Sequence, residues 1–171
     1  MKTLILGGVK SGKSRYAEKL ATSISESVTV VATATVLDEE MALRIARHQE
    51  DRPASWVTIE EPIQLGQALR SITDAEVVVI DCLTLWLTNL LMDQDPDKLN
   101  VEIDDFEQAI KTFSSPLILV SNETNMGIVP LGDLTRQYCD QVGLLHQRLA
   151  NVCDEVKLIV AGLPLMLKTY G

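Results

Sequence analysis

The residues best suited to chemistry lie near the start of the chain, where a short apolar run leads into Gly-Gly-Val-Lys-Ser-Gly-Lys-Ser. A glycine, four residues, a second glycine, lysine and serine form the pattern of a phosphate-binding loop. Glycines let successive backbone N–H groups turn towards phosphate oxygens, and the start of a following helix adds a partial positive charge. We expect this loop to bind a nucleoside triphosphate through Gly7, Gly8, Val9, Lys10, Ser11, Gly12, Lys13 and Ser14.

Two side chains of the loop have distinct predicted roles. Lys13 would reach the β- and γ-phosphates as a catalytic residue, and the Ser14 hydroxyl would bind Mg²⁺. A predicted buried strand over residues 77–80 ends in Asp81, whose carboxylate could hold the same metal or its waters. The sequence therefore predicts Mg²⁺ as a cofactor, with Ser14 and Asp81 as its ligands. A plain glycine-rich turn is the alternative, but the apolar strand before the loop and the helical pattern after it disfavour that interpretation.

A second candidate centre lies on a helix predicted over residues 38–51. Arg44, Arg47, His48 and Asp51 fall at i, i+3, i+4 and i+7, so they share one face. Asp51 would orient the His48 ring and leave its other nitrogen as a nucleophile or base, while the arginines could hold phosphates. An exposed histidine on a solvated, charged face explains the same pattern, and the pattern alone leaves both interpretations open.

Strand and helix patterns alternate along the chain. Helices are predicted over residues 13–24, 38–51, 62–72, 102–113 and 134–152, and strands over 28–32, 56–59, 77–81, 116–120, 155–160 and 165–169. We expect one α/β domain over residues 1–171, a phosphate-loop nucleotide-binding fold with a mainly parallel central sheet flanked by helices. The short turn before the last strand predicts a hairpin, so that strand should be an antiparallel edge. His146, in the longest helix, is predicted to be structural.

Composition argues against several functional classes. Lys and Arg number 15 against 24 Asp and Glu, a net charge of −9, which disfavours nonspecific binding to nucleic acid. No apolar run approaches the roughly 20 residues that span a bilayer, so we expect no membrane insertion. The 3 cysteines are widely spaced and suggest neither a disulfide framework nor a zinc site. Because the first residues enter a strand directly, we expect a cytoplasmic protein.

Several segments together resemble a known family. They are residues 7–15, 32–35, 38–53 and the sequence Asn-Glu-Thr-Asn-Met-Gly-Ile-Val-Pro at 122–130. These residues are similar to the bifunctional adenosylcobinamide kinase and adenosylcobinamide-phosphate guanylyltransferase of cobalamin biosynthesis, and the likeness extends over nearly the whole chain. Many nucleotide enzymes share the phosphate loop, whereas the histidine segment and the Asn-Glu loop are more specific.

The resemblance implies two reactions. First, ATP or GTP phosphorylates the aminopropanol hydroxyl of adenosylcobinamide. Then a histidine attacks the α-phosphorus of GTP, pyrophosphate leaves, and GMP passes from the guanylyl-histidine to adenosylcobinamide phosphate to give adenosylcobinamide-GDP. His48 occupies the position of that nucleophile. The resemblance also implies a homo-oligomer, specifically a trimer.

The nucleotide contacts that the resemblance implies extend beyond the loop. They are Thr33, Ala34, Thr35, Gln49, Glu50, Asp51, Arg52, Glu60 and Asp81. A carboxylate can accept both N1–H and N2–H₂ of guanine and so prefer it over adenine. Asp81 thus has two competing roles, metal ligand or base reader, which the sequence leaves open. A phosphate-loop kinase without nucleotidyl transfer, or a nucleotide-regulated switch, are the alternative functions.

Overall fold

A computed structural model of the chain describes residues 1–35, 53–95 and 97–169, and the helix predicted over 38–51 lies outside these ranges. The strands are β1 (Lys2–Gly7), β2 (Thr29–Ala32), β3 (Val57–Glu60), β4 (Val78–Asp81), β5 (Leu117–Asn122), β6 (Glu155–Val160) and β7 (Leu163–Lys168). The helices are α1 (Lys13–Ile24), α2 (Leu65–Ser71), α3 (Leu83–Leu91), α4 (Lys98–Thr112) and α5 (Asp133–Val152).

The strands form one sheet in the order β3-β2-β4-β5-β1-β6-β7. All neighbouring pairs are parallel except the last, in which β7 runs antiparallel to β6. The mainly parallel sheet and the antiparallel strand at its end are therefore confirmed. In such a sheet the carboxyl ends of the parallel strands meet at one edge, which is where open α/β folds bind ligands.

Apolar layers cover both faces of the sheet. On one face, α1 packs its buried Ala17 and Ala21 over strand residues such as Ile5, Val30 and Val79. On the other, the described helices α2, α3, α4 and α5 enclose a larger core around Trp86 and Phe106. Burial on both faces explains why the central strands read as continuous apolar runs rather than alternating ones. Among the described residues, no helix is both long and apolar enough to cross a membrane.

Local hydrogen bonds move two predicted boundaries. Helix α2 begins at Leu65, not at residue 62, because the Glu61 carboxylate accepts hydrogen bonds from the backbone N–H groups of Ile63 (2.8 Å) and Gln64 (2.7 Å) and holds them in a turn. Helix α4 begins four residues earlier than expected, at Lys98. The Lys98 ammonium pairs with the Asp93 carboxylate at 2.7 Å, which stabilises the entry to that helix.

Candidate nucleotide site

The phosphate loop joins the carboxyl end of β1 to the start of α1, as predicted. Within it, the Ser11 N–H donates to the Gly8 carbonyl (3.1 Å), and the Tyr16 N–H donates to the Gly12 carbonyl (3.0 Å) as the helix begins. Gly12 has a φ of 96°, a left-handed conformation that side chains other than glycine rarely adopt. Gly8, Val9 and Lys10 are exposed, so the tip of the loop is open to a ligand.

The hairpin between β6 and β7 braces this loop from one side. The Gly162 N–H donates to the Ser11 carbonyl at 2.8 Å. A Cβ on Gly12 would lie 3.1 Å from the Gly162 Cα, so the two backbones meet closely. On the other side, the Glu123 N–H donates to the Gly7 carbonyl at 2.9 Å. The loop conformation is thus supported by segments distant in sequence.

Lys13 is buried beneath the loop. Its side chain is 8% exposed, and its ammonium donates to the Gly8 carbonyl at 3.2 Å. Burial lowers the pKa of Lys13, while the nearby Cys82 and Asp81 act in the opposite direction. The amine therefore lies within electrostatic reach of Asp81, the carboxylate at the end of β4.

Strand register places Glu60 and Asp81, the carboxylates predicted to bind guanine or Mg²⁺, on one face of the sheet. Ala32 pairs with Glu60 of β3 on one side and with Asp81 of β4 on the other. Residues paired across parallel strands point to the same face, and two strand spacings separate the acids by about 10 Å of backbone. Ser14, Asp81 and Trp56 line a common cleft on this face. Asp81 therefore lies beside the start of α1, and Glu60 lies on β3, on the opposite side of β2 from Asp81.

The polar groups of Thr33 are all used within the protein. Its N–H donates to the Asp81 carbonyl (3.0 Å), and its hydroxyl donates to the Cys82 carbonyl (2.7 Å) and accepts from the Cys82 N–H (3.0 Å). The Thr33 carbonyl accepts from Asn89 at 2.9 Å. Thr33 is fully buried, whereas Ala34 is half-buried and Thr35 is exposed.

A second polar cluster lies at the end of β5. The Asn122 amide donates to the Thr84 hydroxyl at 3.0 Å. His146 is 8% exposed, its Nε2 lies 2.8 Å from the Ser121 hydroxyl, and its Nδ1 lies 3.7 Å from the Glu123 carboxylate. Burial lowers the pKa of His146, and the Glu123 charge partly offsets that effect. The environment is that of a buried histidine bonded to its neighbours, in line with the structural role predicted for it.

The predicted nucleophile and the contacts predicted to follow it fall between residues 36 and 52. His48, Gln49, Glu50, Asp51 and Arg52 lie outside the described residues. Conversely, the structure draws attention to Asn89 and Gly162, which the sequence reasoning missed. Asn89 did carry a signal, because it is an amide in the mainly apolar run Leu83–Leu91, where a half-buried polar group needs partners.

Comparison with known proteins identifies the family. Residues 3–167 match the family described as cobinamide kinase / cobinamide phosphate guanyltransferase. This chain belongs to that family. It is thus similar to enzymes with kinase and nucleotidyltransferase activities, and the fold, the enzyme class and the family that the motifs predicted are confirmed.

Two curated relatives have nearly the same length as this family member. The bifunctional adenosylcobalamin biosynthesis protein CobP of Pseudomonas aeruginosa is 50% identical over 169 residues, 98% of each chain. The bifunctional adenosylcobalamin biosynthesis protein CobU of Escherichia coli is 38% identical over 182 aligned positions, which cover 98% of this chain and all of that one. A likeness in fold alone extends to the RadB recombinase, at 14% identity and a TM-score of 0.52 over 92% of this chain and 73% of that one.

Proposed function

We propose that this enzyme phosphorylates adenosylcobinamide with ATP or GTP and then transfers GMP from GTP through a guanylyl-histidine on His48. The observation that most supports this function is the phosphate loop, with the buried Lys13 at the ligand-binding edge of the sheet, in a chain of the cobinamide kinase and guanyltransferase family. In the guanylyl step, the His48 nitrogen forms a bond to the α-phosphorus of GTP and pyrophosphate leaves. The phosphate oxygen of the corrinoid then displaces the histidine.

Within this proposal the loop from Gly7 to Ser14 holds the triphosphate. Buried Lys13 offers its charge to the β- and γ-phosphates, and removing it should impair both reactions because both need the phosphates in place. Ala34 and Thr35 supply contacts after β2, and Gln49, Glu50, Asp51 and Arg52 supply others after His48. The role of Thr33 is to orient this segment, since its own polar groups are bonded internally.

The geometry favours one of the two roles left open for Asp81. Asp81 shares a cleft with Ser14 and lies within electrostatic reach of Lys13, which suits a ligand of Mg²⁺ at the phosphates. Glu60 is displaced from it by two strands, which suits a reader of the guanine edge. When bound, the metal would neutralise charge on the phosphates, and Ser14 and Asp81 are the residues that would hold it.

Intact-mass analysis tests the guanylyl step. Incubation of the protein with GTP should add the mass of one GMP, and the adduct should be acid-labile and alkali-stable, as expected for a phosphoramidate. His48→Ala should abolish the adduct, and Lys13→Ala should slow its formation while leaving the nucleophile intact. An adduct of undiminished amount in His48→Ala would overturn the assignment of the nucleophile. Wild-type protein that phosphorylates adenosylcobinamide without any adduct would instead leave only the kinase.

We further infer that the enzyme is a cytoplasmic homo-oligomer, specifically a trimer, of a single domain. Its three cysteines are unpaired thiols, which suits a reducing compartment. The support for self-association is β7, an apolar strand at the end of the sheet whose residues are all exposed, including Leu165 (56%) and Leu167 (55%). Such a strand is an aggregation hazard unless another surface covers it, and a second copy of this chain would do so.

Sedimentation equilibrium tests the oligomer. Leu165→Lys and Leu167→Lys should lower the measured mass towards that of one chain, because a lysine must then be desolvated in the contact. Gln67→Lys, on the exposed face of α2, is the matched control and should leave the mass unchanged. A wild-type mass of 18.9 kDa would refute self-association.

A further inference from the structure

Helix α3 carries one amide that joins two segments of the nucleotide site. The Asn89 Nδ2 group donates one hydrogen bond to the Thr33 carbonyl (2.9 Å) and another to the Pro62 carbonyl (3.0 Å), so both of its N–H bonds are used. Its Oδ1 faces the Thr35 hydroxyl at 3.3 Å. Both segments follow strands: Thr33 comes directly after β2, and Pro62 comes two residues after Glu60.

The contacts of Asn89 lie just past the end of the pairing between β2 and β3. The pairing of β2 with β3 finishes at Ala32 and Glu60, followed by one backbone bond from the Glu61 N–H to the Ala32 carbonyl at 2.9 Å. Just past that point, Asn89 bonds to both segments, at Thr33 after β2 and at Pro62 after β3. Asn89 lies on α3, which begins just after Asp81 at the end of β4. Its amide therefore links the ends of β2, β3 and β4 through one helix.

An asparagine suits this position chemically. Two backbone carbonyls face the side chain, and only a group with two N–H bonds can donate to both. An aspartate of the same shape would present a carboxylate to two carbonyl oxygens and repel them. An alanine would leave both carbonyls without these donors.

We propose that Asn89 is a positioning residue that fixes the Thr33 to Thr35 segment relative to Glu60 and so sets the discrimination between guanine and other bases. This inference rests on the proposed function, in which Glu60 reads the guanine edge. Asn89 acts through its neighbours and touches no nucleotide itself. Its loss should therefore reduce base selectivity more than it reduces the chemistry of phosphoryl or guanylyl transfer.

Inosine triphosphate is the probe, because it lacks the 2-amino group of guanine and loses one of the two hydrogen bonds to the carboxylate. The rate of nucleotidyl-enzyme formation is measured by intact mass with GTP and with ITP. In Asn89→Ala and Asn89→Asp, the preference for GTP over ITP, as the ratio of kcat/KM values, should fall about tenfold relative to wild type. Thr88→Ala is the matched control, since the Thr88 hydroxyl bonds within α3 to the Thr84 carbonyl (2.9 Å), and it should keep the wild-type ratio.

Hydrogen–deuterium exchange supplies a readout that needs no catalysis. Amides of residues 29–35 and 57–64 should exchange faster in both Asn89 variants and not in Thr88→Ala. A wild-type protein that forms no adduct would refute the proposed function. The exchange data would still test whether Asn89 links the segments that follow β2 and β3. Faster exchange with an unchanged GTP to ITP ratio would make Asn89 merely structural and would overturn the positioning role. If the Asn89 variants and Thr88→Ala had the same amide exchange rates and the same GTP to ITP ratio, the whole inference would be overturned.

Discussion

At the scale of single residues, the site depends on polar groups whose partners come from distant parts of the chain. Lys13 is held under the loop by the Gly8 carbonyl, and Thr33 is bonded to both Asp81 and Cys82. Burying such groups is costly unless they are hydrogen-bonded, so each must be matched by its neighbours. These pairings give each side chain a single direction at the ligand edge.

His146 should make stability depend on pH. Burial holds its pKa below the ordinary value near 6.5, so the unfolded state binds the proton more readily than the folded state. The contribution is fully present above about pH 6.5 and is lost as the pH falls through the folded-state pKa. Urea unfolding from about pH 7.5 to about pH 5.5 should therefore show a falling free energy of unfolding.

The control for that prediction is His146→Gln, whose terminal amide can still bond to the Ser121 hydroxyl but does not titrate. The free energy of unfolding of this variant should fall less over the same pH range. An identical pH dependence in the two proteins would show that other groups cause it and would contradict the role assigned to His146.

At the scale of elements, the β6–β7 hairpin is a support for the phosphate loop as well as an edge of the sheet. The turn is Ala161–Gly162, two residues rather than the four expected from the sequence, so β7 begins at Leu163. Ala161 and Gly162 have φ angles of 51° and 80°, as in the primed turns whose twist matches paired strands. Because Ala161 is not glycine, the sequence concealed this tight turn.

The hairpin gives a matched pair of stability predictions. Ala161→Gly should raise the free energy of unfolding by about 0.5–1 kcal/mol, since it relieves a side chain in the left-handed region. Gly162→Ala should lower it by about 1 kcal/mol for the opposite reason, although its N–H can still donate to Ser11. Chemical denaturation checks both. Changes of the same sign in the two variants would contradict the backbone assignment.

Most element types in the described residues were readable from the sequence because they follow from local patterns, but helix α3 (Leu83–Leu91) was not predicted. The apolar runs of the central strands and the spacing of Ala17 and Ala21 in α1 both follow from how these elements are buried. Boundaries were less readable, since α2 is delayed by the Glu61 side chain and α4 is extended at its start. Those ends depend on individual side-chain contacts that periodicity does not contain.

At the scale of the whole molecule, one continuous sheet relates every described element. Strands β1 and β5 are neighbours although they are far apart in sequence, and the apolar layers on the two faces share that sheet. One domain stays our prediction, and we expect the chain to unfold as one unit because both core layers pack against the same sheet.

Two-state unfolding tests that prediction. Trp86 is fully buried, and its indole N–H donates to the Ile63 carbonyl at 2.7 Å. Its ring packs edge to face against Phe106, with the ring centroids 5.1 Å apart. In a Trp56→Phe background, the fluorescence of Trp86 and the far-ultraviolet circular dichroism should report a single, coincident transition at one protein concentration. Separated transitions would mean that the α3–α4 core unfolds independently of the rest.

The sequence by itself determined the phosphate loop, the alternation of strands and helices, and the family, because these reside in residue types and short spacings. Only the tertiary structure decided that Glu60 and Asp81 flank Ala32 on one face, that Gly162 braces Ser11, and that Asn89 joins two strand ends. The physical reason is that these relations depend on strand order and register. Both arise when the chain packs around its core, and no local pattern specifies them.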